Sequence, residues 1–142
     1  MTPALLRRLE TLPLYAVVAL GSALGGGARA GLGDLLAGLT TGPVLATLLA
    51  NATGSLLIGY FATLSEPGGR LFAGPRLRHF VMTGICGGYT SFSVFSLESV
   101  TALQSLGAGP AAGLVGLSLF SWLCAVWLGH GLAARRNRLK GG

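Results

Sequence analysis

The sequence predicts an all-α integral membrane protein, a single domain over residues 1–142 with four transmembrane helices, and three observations predict it. Of 142 residues 51% are hydrophobic and only 10% charged, whereas an average soluble domain carries about 25% charged residues; mean hydropathy is +0.69. Apolar stretches near the ~20 residues needed to cross a bilayer core recur four times, separated by polar or Pro/Gly-rich links. The basic residues fall at the chain ends and in one loop, as in cytoplasmic flanks of membrane spans, not in the aromatic-interleaved patches of nucleic-acid binders. Little chain is left for a soluble catalytic body.

The first span is expected from about residue 13 to 36, "PLYAVVALGSALGGGARAGLGDLL". A cleaved signal peptide ending near "ARA" is the alternative, but three further apolar segments follow and a retained span is simpler. Gly21-x-x-x-Gly25 and Gly27-x-x-x-Gly31 permit close helix approach, though such spacings also arise by chance among 24 glycines. Arg29 lies about 21 Å along the helix from Tyr15, so it snorkels to the far interface or lines a watery vestibule.

The second span, about residues 44–64, has no charge, and Gly42 and Pro43 are start signals. Thr47, Asn51 and Ser55 recur every fourth residue with Gly54 beside them, and so share one helix face. Asn51 either bonds another helix or lines a pore. "SEPGGRLFAGPRLRH" is a polar loop with Arg70, Arg76 and Arg78. The third span runs from about 80 to 103, "QSLGAGP" reads as a link, and the fourth span covers about 111–132 before a basic tail. Cys86 and Cys124 have no metal-ligand or disulfide spacing and read as small apolar residues.

An even number of spans places both termini and the 65–79 loop on one side, with nine of the ten basic residues; Arg29 alone falls on the other. The positive-inside rule then puts both termini in the cytoplasm.

The chemistry concentrates in the third span, "GICGGYTSFSVFSLES". Gly87-Gly88 weaken a helix by about 1 kcal/mol each relative to alanine, and Thr90, Ser91 and Ser93 compete for the backbone. A break near Gly87–Ser91 is expected. Carbonyls exposed at membrane depth survive only in a protein-lined or wet site, where they are hard oxygen ligands for a small cation such as Na⁺. Beyond the break, Phe92, Phe95, Ser96 and Ser99 share an arc. Ring edges and hydroxyls there suit a small anion, while ordinary helix packing explains the same spacing. Glu98 is either a functional acid or sits at an exit-side interface. Ser118 in the fourth span extends a polar track or packs in the core.

Four stretches, "GGGAR", "TLLANATGS", "GGYTSFSVFSLE" and "SLFSWLCAVWLG", together resemble the Fluc (CrcB) fluoride channels, in order and over nearly the whole chain. The most specific part is Gly87-Gly88-Tyr89-Thr90-Ser91-Phe92-Ser93-Val94-Phe95-Ser96-Leu97-Glu98, which departs from the family pattern at Val94, where a threonine is usual. Leu114 and Trp122 also stand where the family commonly has tyrosine and glycine. The resemblance implies a passive fluoride-selective channel that exports F⁻ from the cell across the cell membrane, built as an antiparallel dimer around a structural Na⁺. It further implies that Gly87 and Thr90 offer backbone carbonyls to Na⁺. Phe92, Phe95, Asn51, Thr47, Ser93 and Ser118 would line the fluoride path, and Arg29 and Glu98 would be vestibule or accessory groups. The charge bias disfavours insertion of one sequence both ways, so the second subunit is either another copy or an oppositely oriented paralogue.

Two other readings remain. One is a non-conducting structural subunit of a heterodimeric channel, which the span-four departures favour; substitution of Phe92 and Phe95 by isoleucine would then leave flux unchanged. The other is a small proton-coupled drug exporter, but its first-span acid is represented only by Asp34 at the far end. No nucleotide loop, dinucleotide fingerprint or metal cluster supports an enzyme.

Overall fold

A computed structural model describes residues 3–39 and 42–138, with side chains from residue 12 onward. Every regular element among them is helical: α1 (Pro3–Leu36), α2 (Gly42–Leu64), α3 (Pro75–Arg78), a π-helical stretch (His79–Cys86), α4 (Gly87–Tyr89), α5 (Phe92–Leu106) and α6 (Ala108–Arg138). Three helical stretches among the described residues, Gly42–Leu64, Pro75–Leu106 and Ala108–Arg138, are long and apolar enough to cross a membrane, which makes this a multi-pass membrane protein. The fourth long helix, α1, starts ten residues before the expected Pro13 and carries that proline inside it. Arg7, Arg8 and Glu10 have side chains outside the described set, as does Lys140.

Helix pairing follows the small residues. Gly21 and Gly25 of α1 meet Gly84 and Gly88 of the third span so closely that a Cβ on Gly21 would lie 2.8 Å from the Gly84 Cα. A Cβ on Gly25 would lie 2.7 Å from the Tyr89 nitrogen, and one on Gly88 2.8 Å from the Ser22 Cα. Backbone therefore packs on backbone, the arrangement that small-xxx-small spacing allows where no hydrophobic effect drives helices together. A Cβ on Gly27 or Gly31 would meet nothing beyond its own helix within 4 Å among the described residues, so only the first of the two expected glycine pairs makes this contact. The α2–α6 pair repeats the device, because a Cβ on Gly129 would come within 2.8 Å of the Tyr60 nitrogen.

The link between the third and fourth spans is shorter than "QSLGAGP" suggested: α5 ends at Leu106, α6 begins at Ala108, and Gly107 alone joins them at φ 88°. That positive φ is open to glycine and strained for other residues. At the opposite end, the 65–74 loop is fastened to α2 and α6. Arg78 donates to the Ser65 carbonyl and hydroxyl at 2.7 Å each. Asn137 donates to the Thr63 carbonyl at 2.9 Å and accepts from the Arg70 amide at 2.9 Å. Arg136 reaches the Tyr60 hydroxyl at 2.6 Å. The loop and the end of α6, with their arginines, thus meet at one end of the molecule, while Arg29 packs beside Pro43 and Thr47 at the start of α2.

Candidate functional site

The break falls at Thr90 and Ser91, which are extended (φ −89°, ψ 154° and φ −146°, ψ 112°) between α4 and α5, inside the expected Gly87–Ser91 window. Its exposed backbone is paired from two directions. The Asn51 carboxamide, buried on α2, accepts from the Ser91 amide at 2.8 Å and donates to the Ser91 carbonyl at 3.2 Å. Ser91 in turn caps α5, its hydroxyl accepting from the Val94 amide at 3.2 Å. Such an N-cap satisfies one of the four orphan donors of a helix start.

Both bonds divert a donor. In a continuous helix the Ser91 amide would bond the Gly87 carbonyl and the Val94 amide the Thr90 carbonyl, each four residues back. Here the first goes to Asn51 and the second to Ser91 itself. The carbonyls of Gly87 and Thr90 therefore lose their helical donors, and Gly87 is exposed, the Met82 carbonyl at 3.9 Å being the nearest neighbour of its would-be Cβ among the described residues. Thr90 stays anchored, its amide and hydroxyl each 3.0 Å from the Cys86 carbonyl.

The expected face of α2 forms one continuous polar strip. Thr47 and Asn51 are buried and Ser55 half-buried, over about 12 Å of helix. At one end, Arg29 donates to the Thr47 hydroxyl at 3.3 Å, and that hydroxyl donates to Glu98 at 2.7 Å. These three border a cavity of about 350 Å³ with Gly26, Pro43 and Val94. Glu98 is thus paired through Thr47 with Arg29, and the Arg29 Nη1 is buried without a partner among the described residues. At the other end, Asn51, Ser55, Thr90, Phe92 and Trp122 line a cavity of about 200 Å³.

The aromatic groups divide. Phe95 is 6% exposed and meets Trp122 edge-on with ring centroids 4.7 Å apart, whereas Phe92, 5.6 Å from Phe95, is 70% exposed. Ser118 is buried one turn before Trp122, and Ser93 is exposed with its hydroxyl 3.2 Å from that of Ser91. Ser96 and Ser99, read from spacing as donors to an anion, spend their protons on the carbonyls of Phe92 and Phe95 at 2.9 and 2.7 Å. Intrahelical back-bonding of this kind is the common fate of hydroxyls on a membrane helix. Ser91 was the residue that spacing undervalued, although a serine just before an apolar run is an N-cap signal.

The family model for CrcB-like protein, Camphor Resistance (CrcB), matches residues 16–130. The chain belongs to the CrcB family. Among its CrcB relatives, the "Fluoride-specific ion channel FluC 1" of Rhodopseudomonas palustris (strain BisB18) is 54% identical over 90% of this chain and 92% of its own. The FluC 1 of Bradyrhizobium diazoefficiens is 49% identical over 97% and 96%, and the FluC of Opitutus terrae 48% over 90% and 98%. The CrcB match takes in the break, both cavities and parts of all four long helical stretches.

Proposed function

We propose that this chain is a subunit of a fluoride-selective channel, not an enzyme, carrying F⁻ passively out of the cell. The observation that carries the reading is the polar strip Thr47–Asn51–Ser55, which crosses an otherwise apolar chain and passes the broken third span, in a chain 54% identical to a protein named as a fluoride-specific channel. Selectivity in a narrow pore rests on diameter and on the donors that replace an ion's hydration shell. Arg29, with a buried nitrogen unpartnered among the described residues and beside a cavity, suits an anion's entry or exit. Phe95, seated against Trp122, and Phe92 supply ring edges of positive potential. Thr47, Asn51, Ser93 and Ser118 supply polar groups along the route.

The reading includes Na⁺ at the break, held by the Gly87 and Thr90 carbonyls. The donor set fits: both are hard oxygens stripped of their helical donors, and unwound carbonyls are the ligands that membrane proteins use for this ion. When bound, the ion supplies fixed positive charge and pins the break. Two carbonyls fall short of the six or so ligands common for a hard cation, which favours a second subunit completing the set around the exposed Gly87 face, in an antiparallel dimer.

The arginines of the 65–79 loop and of the end of α6 gather at one end, which supports a cell-membrane protein with both termini in the cytoplasm. A chain so biased is expected to insert one way, and its antiparallel partner is then a paralogue of opposite charge bias. Single cysteines placed in the 65–79 loop, with this gene expressed alone, are expected to react with an impermeant reagent from one face only; labelling from both faces would establish an antiparallel homodimer instead.

The channel reading is tested by fluoride efflux from liposomes carrying the complex purified by way of this chain. Efflux insensitive to an imposed proton gradient is the expected result, and proton-driven exchange of organic cations the contrary one.

A further inference from the structure

The indole of Trp122 has a buried nitrogen with no hydrogen-bond partner among the described residues, one of two such side-chain atoms with Arg29 Nη1. An indole N–H is a donor only, so what it lacks is an acceptor. A buried donor left unpaired costs stability, more so in a membrane where no bulk water can serve it. A ring used only for packing would be better made as phenylalanine.

Three features place the Trp122 ring on the route. Trp122 borders the cavity of about 200 Å³ together with Asn51, Ser55, Thr90 and Phe92, a volume suited to a small ion with little water. Its ring meets Phe95 edge-on at 4.7 Å, so the donor is carried by a side chain already in the aromatic part of the route. It lies one helical turn beyond buried Ser118 on the same face of α6. Two hydroxyls on the face of the phenylalanines, those of Ser96 and Ser99, have committed their protons to the backbone. An indole N–H there adds a donor that these two hydroxyls do not supply.

We propose that the Trp122 indole N–H donates to fluoride as it passes, making Trp122 a specificity-determining residue of the path in this chain. The inference rests on the channel reading. A compact anion that accepts hydrogen bonds strongly gains most from such a donor, and larger, weaker acceptors gain less, so the group favours fluoride over chloride. It also gives the tryptophan a part in conduction, where its bulk alone would argue for a blocked track along α6.

The test replaces the donor and keeps the ring. Trp122→Phe, purified as the whole complex, is expected to lower fluoride efflux by about ten- to a hundredfold, the scale set by losing one hydrogen bond to a charged group. Trp127→Phe, whose ring is exposed on α6, is expected to conduct like wild type. In the Trp127→Phe background the single remaining indole N–H resonance is expected to shift on titration with sodium fluoride and not with sodium chloride. Wild-type flux from Trp122→Phe, or an indole resonance indifferent to fluoride while the protein conducts, would overturn the proposal. So would loss of the assembled dimer in Trp122→Phe, which would identify the acceptor as an oxygen of the second subunit. A wild-type complex that passes no fluoride counts against the channel reading instead, and there the resonance still reports directly on whether fluoride binds the indole.

Discussion

Asn51→Leu is expected to abolish fluoride efflux and to lower the stability of the purified complex by up to about 6 kcal/mol, since two part-buried backbone groups lose their partners at up to about 3 kcal/mol each. The groups are the Ser91 amide and carbonyl, 2.8 and 3.2 Å from the Asn51 carboxamide. Leucine has similar bulk and is at home in a bilayer, so on hydrophobicity alone the change would be harmless. The damage comes from the break: without Asn51 the Ser91 amide can return to the Gly87 carbonyl only if α4 and α5 join into one helix. That rearrangement would re-aim Phe92 and Phe95 and restore the helical donor of the Gly87 carbonyl, which is proposed to hold Na⁺. Thermal unfolding in detergent alongside efflux checks it. A variant as stable and as conductive as wild type would mean that Asn51 does not hold the break.

Gly25→Val is expected to prevent assembly of a folded chain, at a cost of about 3 kcal/mol or more. Its Cβ would collide with the Ile85 carbonyl and approach the Tyr89 nitrogen at 2.7 Å. These are backbone atoms that cannot swing aside as a flexible side chain does. The collision also falls directly on α4, so α1 would be pushed off the segment that carries the break. Size-exclusion chromatography and the yield of monodisperse protein measure the effect. A monodisperse, conducting Gly25→Val protein would show that the α1 contact with the third span is not needed.

These two residues also show how far the sequence could be read. The face Thr47–Asn51–Ser55 follows from a fourfold spacing that only a helix brings into line, and the break follows from the hydroxyl residues Thr90 and Ser91, while Gly87 and Gly88 before them stay helical in α4. Asn51 was legible as an amide needing a partner. That its partner is the Ser91 backbone was not, because the pairing joins residues 40 apart in sequence and depends on how α2 crosses the third span. Gly21 and Gly25 could not be told from Gly27 and Gly31 by spacing, since what separates them is Gly84 and Gly88 on the opposite helix. The one-residue link at Gly107 was hidden because the sequence around it reads equally well as a turn. Ser96 and Ser99 looked like donors to an ion because spacing reports the face of a hydroxyl, not where its proton goes.

The most direct test of the central claim is anion efflux from liposomes holding the complex purified by way of this chain, read in parallel for fluoride and chloride with and without a proton gradient. Rapid fluoride efflux, with chloride retained and no response to the gradient, is the predicted result. Chloride leaving as fast as fluoride, or efflux that follows the proton gradient, would contradict a fluoride-selective channel.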